Sequence, residues 1–166
     1  MYQAKTFDWA QAVNGFVKVM RNITDNKIPI FERTHSADHG AYPFIVYEMK
    51  RPPALYQSTT RNHEVFDRVF VIDCWAETSG EANAISDDLE TLLHDVKYRE
   101  QLKSYGMALS RTDAHNSTSD VLAPFLQASE YGFDAVVQME RHYESDYPII
   151  TDFKENGGSN NGDTNK

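Results

Sequence analysis

His35, Asp38 and His39 form the one local cluster of metal-ligating residue types in the chain, with the two imidazoles four residues apart. On a helix that spacing lets two histidines share an ion. Here the three lie in a loop stretch bordered by Gly40 and Pro43 with no further ligand close in sequence, while His63, His94, His115 and His142 stand singly. Cys74 is the only thiol, which excludes an intrachain disulfide and a cysteine-rich zinc site. Its side chain falls in line with Phe66, Phe70 and Ile72 on a strand, so it reads as a small buried apolar residue before it reads as a nucleophile. Asp87 and Asp88 are adjacent carboxylates on a helix, where neighbours diverge by about 100° and cannot converge on one bond. No Gly-rich phosphate loop is present, because Gly157-Gly158 stands in a polar carboxy-terminal stretch and Gly80 only opens a helix. Aromatic residues alternate with aliphatic ones at strand and helix spacing, the pattern of a core and not of a base-stacking platform. No residue set demands a catalytic, cofactor or metal role; the remaining enzyme reading is a small metal-dependent one built on His35, Asp38 and His39.

The elements that would position these residues are legible from periodicity. Phe7 to about Arg21 places Trp9, Ala12, Val13, Phe16, Val17 and Met20 at steps of three and four, the stripe of an amphipathic helix, with Thr6 as N-cap and Asp8 at the positive end of the helix dipole. A loop follows over 24–42. Phe44 to Met49 reads as a strand introduced by Pro43, and 50–62 as a protruding polar arm or long β-hairpin bearing Arg51, Tyr56 and Arg61. Glu64 to Ala76 alternates as a strand whose second half is apolar on both faces, which predicts a central position covered on both sides by helices or by another copy. Thr78 and Glu81 form a capping-box pattern ahead of the stripe Ala82, Ile85, Leu89, Leu92, Leu93 and Val96, leaving Asp87, Asp88, Glu90 and Asp95 on the outer face. Tyr105–Asp113 is a weaker strand candidate, Val121–Ala128 a short segment interrupted by Pro124, and Tyr131–Tyr143 a half-buried strand. The expected fold is α+β, a mixed, mostly antiparallel sheet flanked by two main helices. Residues 1–150 form one domain and 151–166 a flexible polar tail.

At 166 residues, 19.0 kDa and a mean hydropathy of -0.59, with 40% hydrophobic residues, the chain has the size and composition of one globular domain. No run of about 18 apolar residues and no basic-then-apolar leader is seen, so a soluble protein made in the cytoplasm, without a membrane partner, is expected. The formal charge is -9, opposite to the footprint of a protein that wraps nucleic acid. Residues 1–68 hold nine Lys/Arg and seven Asp/Glu, whereas residues 69–166 hold seven and eighteen. Such a division suits head-to-tail contacts between copies, and also an ordinary solvated acidic surface.

One ordered combination extends this reading. Tyr42-Pro43-Phe44-Ile45-Val46-Tyr47 precedes a polar arm and then Phe66-Asp67-Arg68-Val69-Phe70-Val71-Ile72-Asp73-Cys74-Trp75-Ala76, which runs directly into Glu77-Thr78-Ser79-Gly80-Glu81-Ala82-Asn83-Ala84-Ile85. The pattern resembles the tail terminator (neck, or tail-completion) proteins of long-tailed bacteriophages over about residues 5–143, most strongly over 42–49 and 64–93. The resemblance implies a structural virion protein of the neck. It would assemble as a ring of six copies on the finished tail tube, stop polymerisation and offer a face to the head-completion or connector protein, with DNA passing through the lumen unbound. It supplies no catalytic residues and no cofactor. Arg51, Tyr56 and Arg61 on the arm, then Asp87, Asp88 and Glu90, are the expected subunit or tube contacts. A head-side connector or a tail-tube protein of the same system shares much of the pattern.

Overall fold

The structure is a computed structural model that describes residues 5–34, 41–51, 64–115 and 128–142. Helix α1 (Trp9–Ile23) begins two residues later than the Thr6 cap predicted, because Asp8 caps it: the Gln11 backbone N–H donates to Asp8 Oδ1 at 2.9 Å. Its stripe buries Ala12, Phe16, Val17, Val19 and Met20, and the Phe16 ring stacks on Phe70 at 4.0 Å between centroids. Each such large side chain removed from water contributes about 1.5–3 kcal/mol. Gly15 completes the contact face, since a Cβ there would come within 2.5 Å of Tyr105 Cγ. After the helix, Asp25 and Asn26 adopt left-handed φ angles of 52° and 57°, which short polar side chains tolerate, and they turn the chain back.

The expected loop over 24–42 contains a strand, β1 (Ile30–Glu32), which pairs parallel with β2 (Phe44–Lys50). Three residues, of which only Ile30 is buried, carry too little alternation to be seen in sequence. Strand β3 (Val65–Ala76) pairs antiparallel with β2 on one side and with β5 (Ser129–Glu140) on the other, and β4 (Met107–His115) pairs antiparallel with β5. The sheet order is β1-β2-β3-β5-β4, so β3 is central as expected.

Helix α2 (Ser79–Leu93) starts at Thr78, whose hydroxyl accepts from the Glu81 backbone N–H at 3.2 Å, as the capping box predicts. Its end corrects the sequence reading. Val96 is not on the α2 stripe and Asp95 is not on its outer face: Asp95 caps a third helix, α3 (Val96–Ser104), accepting from the Lys97 N–H at 2.8 Å, and Val96 is 74% exposed. Among the described residues there are therefore three helices where two main ones were expected. Only Tyr98 and Leu102 of α3 are buried, too few apolar positions to show a stripe.

All three helices pack on the sheet face formed by Ile45, Phe66, Phe70, Ile72, Cys74, Phe133, Ala135, Val137, Met139, Met107 and Leu109, which is the core. Among the described residues the helices cover this face alone, which leaves the opposite face to the other expected cover, another copy. Val46, Val71 and Val136 are nevertheless buried on the opposite face. Cys74 is fully buried in line with Phe70 and Ile72, and burial pushes its thiol far above the usual range. Among the described residues no helix is long and apolar enough to cross a membrane. The arm beyond Lys50 and Arg51, the segment 121–127 and the carboxy-terminal stretch lie outside the described residues.

Candidate functional site

Strand β3 presents its apolar side to the helices, and the opposite side carries one residue that apolar burial cannot explain. Asp73 lies in the middle of the sheet with its side chain only 4% exposed. A carboxylate taken out of water requires charged or hydrogen-bonding partners. They arrive from both edges. Arg33, just past the end of β1, reaches across β2 so that its Nη2 donates to Asp73 Oδ2, while its Nε lies 3.1 Å from Glu48 Oε2 on β2. Lys50 Nζ meets the same Glu48 oxygen at 3.2 Å. From the other edge His115, the last residue of β4, places Nε2 at 2.9 Å from Asp73 Oδ1 and Nδ1 at 3.3 Å from Asp134 Oδ1 on β5.

Two local features make this crossing possible. Gly132 on β5 stands between the partners in the ladder, opposite Asp73 on one side and His115 on the other. Without a side chain there, the imidazole passes over β5; a Cβ would lie 2.5 Å from His115 Nε2 and 2.9 Å from Asp73 Oδ1. The second feature is a bulge in β4 between Leu109 and Arg111. Met107 and Leu109 face the helices, opposite Met139 and Val137, whereas Arg111, Asp113 and His115 pair with Val136, Asp134 and Gly132 and so face away. Residues of the same parity thus serve opposite faces, and Thr112, of the other parity, turns toward the helices.

Thr112 enters a second polar set. Its hydroxyl donates to Glu90 Oε1 at 2.8 Å and lies 3.0 Å from His94 Nε2, both from the last turn of α2 and its cap. Glu90 therefore does not join Asp87 and Asp88 in one outward surface: those two are exposed, while Glu90 is half-buried and turned to β4. Arg51 is exposed beyond the end of β2. Tyr56 and Arg61, like His35, Asp38 and His39, lie outside the described residues.

A third cluster packs on the helix side. Arg68, 5% exposed, lays its guanidinium 4.8 Å from the Trp9 and Phe66 ring centroids, and Arg141 lies 4.7 Å from Phe66. Burial, with Arg51 and Arg141 nearby, lowers the Arg68 pKa, against the pull of Glu64. Arg68 Nη1 donates to the Asp67 carbonyl at 2.7 Å.

In the Arg33–Asp73–His115–Asp134 set both imidazole nitrogens face carboxylates, so neither is left to take a proton from a nucleophile. The geometry ties strands together. Among the described residues no group of three or more His, Cys, Asp or Glu side chains is arranged to hold a metal ion. Sequence reading did not find the set, although an acid inside the apolar run Val69–Trp75 and a glycine inside the strand Tyr131–Phe133 were its visible signals. No protein-family model matches the chain, and no curated protein matches it.

Proposed function

We propose that this protein is a structural component of a phage virion. In this reading it caps the finished tail tube as a ring of six copies, ends tail polymerisation and forms the neck interface for head-tail joining. The observation that carries the reading is the strand-to-helix corner: the two segments that resemble tail terminators, 42–49 and 64–93, form the paired strands β2 and β3 and the helix α2 that leaves β3 after a two-residue turn. The mixed sheet with helices on one face supports the same architecture.

The physical demands of the role agree with the chain. A closed cyclic ring joins two different patches of each copy. Strands β1 and β4 end the sheet with different chemistry, one short and parallel, the other bulged and antiparallel, and the charge divides unequally between the two halves of the sequence. An acidic lumen neutralises no phosphate and releases no counterions, so DNA slides through it. Electron microscopy of particles made when this gene is deleted from the phage tests the reading. Full heads beside unjoined tails of uncontrolled length are expected. Normal tails beside heads that leak DNA move the protein to the head side, and ordinary infectious particles refute a virion role.

A further inference from the structure

The helices differ sharply in charge: α1 holds Lys18 and Arg21 and no acid, whereas α2 holds Glu81, Asp87, Asp88 and Glu90 and no base. Beside α1, over the β1–β2 end of the sheet, lies an open cleft of about 610 Å³. Lys18 and Arg21 line it with the amides of Asn14, Asn22 and Asn26, and Glu32 is its one acid. A hollow of about 360 Å³ continues it past Arg21 toward Lys27. Lys18 and Arg21 are exposed and have no ion-pair partner among the described residues. Helix α2 packs over β3 and β5 and against α1, none of its residues lines this cleft, and Asp87 and Asp88 are exposed. One copy therefore carries a basic, amide-rich cleft and an acidic helix face at separate places.

We infer that the cleft beside α1 receives the acidic face of α2 from a second copy of the chain, an inference that rests on the ring reading above and names its subunit contact. Cleft and helix face are different patches, so each copy binds one neighbour with each, which is the heterologous contact a ring needs. The amides supply hydrogen-bond donors to carboxylates where lysines alone would give only a diffuse field. Complementary charge of this kind sets partner choice and register more than raw affinity.

A charge exchange tests the contact. One variant carries Lys18→Glu with Arg21→Glu, and another carries Asp87→Lys with Asp88→Lys; all four positions are exposed, and circular dichroism checks that both variants fold. Sedimentation across a concentration series is expected to show each variant alone assembling at least about tenfold more weakly than wild type, because like charges now meet. An equimolar mixture is expected to restore assembly, since every junction in an alternating ring then pairs opposite charges. Wild-type assembly should weaken with added salt as the exposed charges are screened. Two variants that each assemble like wild type overturn the contact. Loss confined to the cleft variant, with no rescue on mixing, overturns it too and assigns the cleft to another occupant, such as the chain's own carboxy-terminal segment or a tube protein. A wild-type chain that stays monomeric at every concentration also overturns it, while the deletion phenotype decides the terminator reading independently.

Discussion

Replacing Gly132 with alanine measures how far the Asp73 crossing contributes to the fold. The φ of Gly132 is outside the left-handed region, so the glycine supplies space and not backbone freedom. A methyl group there meets the Ile72 carbonyl oxygen of the central strand, which cannot step aside cheaply, as well as His115 Nε2 at 2.5 Å and Asp73 Oδ1 at 2.9 Å. Overpacking of this kind costs about 1–3 kcal/mol. Displacing the charged His115–Asp73 hydrogen bond adds about 1.5–3 kcal/mol, and alanine returns about 0.5–1 kcal/mol over glycine in a strand. The expected net loss is about 2–5 kcal/mol. With a urea dependence of about 2 kcal/mol per molar, the unfolding midpoint falls by about 1–2.5 M. Equilibrium urea unfolding of Gly132→Ala, His115→Ala and the double variant separates the contributions. Once His115 is gone, only the clashes with the strand and Asp73 remain, so the double variant should lose less than the two single losses added. A Gly132→Ala midpoint at or above wild type, or strict additivity, refutes the crossing as a stabilising device.

Two further outcomes follow from the buried groups. Cys74 is fully buried with its thiol pushed far upward, so a disulfide reagent at pH 8 should label no thiol in the native chain and one in denaturant; rapid native labelling would contradict the β3 register. Arg68 is buried against Trp9 and Phe66, so Arg68→Met should keep thermal stability within about 1 kcal/mol of wild type or raise it, while Arg68→Ala should lose about 2 kcal/mol or more through the cavity. Equal damage from both would mean that the charge, and not the packing, is what matters there.

Sequence pattern revealed the elements whose burial is periodic: α1 through Phe16 and Met20, β3 through Phe66 to Cys74, α2 through its cap and Leu89, and β5 through Phe133 to Met139. It missed β1 and α3, where one and two buried residues leave no period to read. The polar crossing was invisible for a different reason. Arg33 and His115 lie 40 and 42 residues from Asp73 in the chain, and their meeting depends on strand order and on a bulge, neither of which is written in local composition. The Tyr42–Pro43 entry to β2, the feature quoted in the resemblance, is a cis peptide bond. The outward acids divided because Glu90 found Thr112, a residue the same bulge turned toward it.

That bulge has a meaning for how the chain can change over time. Ser110 is the residue without a partner in the β4–β5 ladder. A regular strand running from Met107 would carry His115 into the apolar core and Thr112 out of reach of α2; the single additional residue shifts the phase once and sorts both correctly. Lengthening or shortening β4 by one residue on the far side of Ser110 would undo that sorting, whereas removal of Ser110 itself would leave every later pairing as it stands. In this strand a count of residues, more than the nature of any one of them, decides which side of the sheet receives a charge.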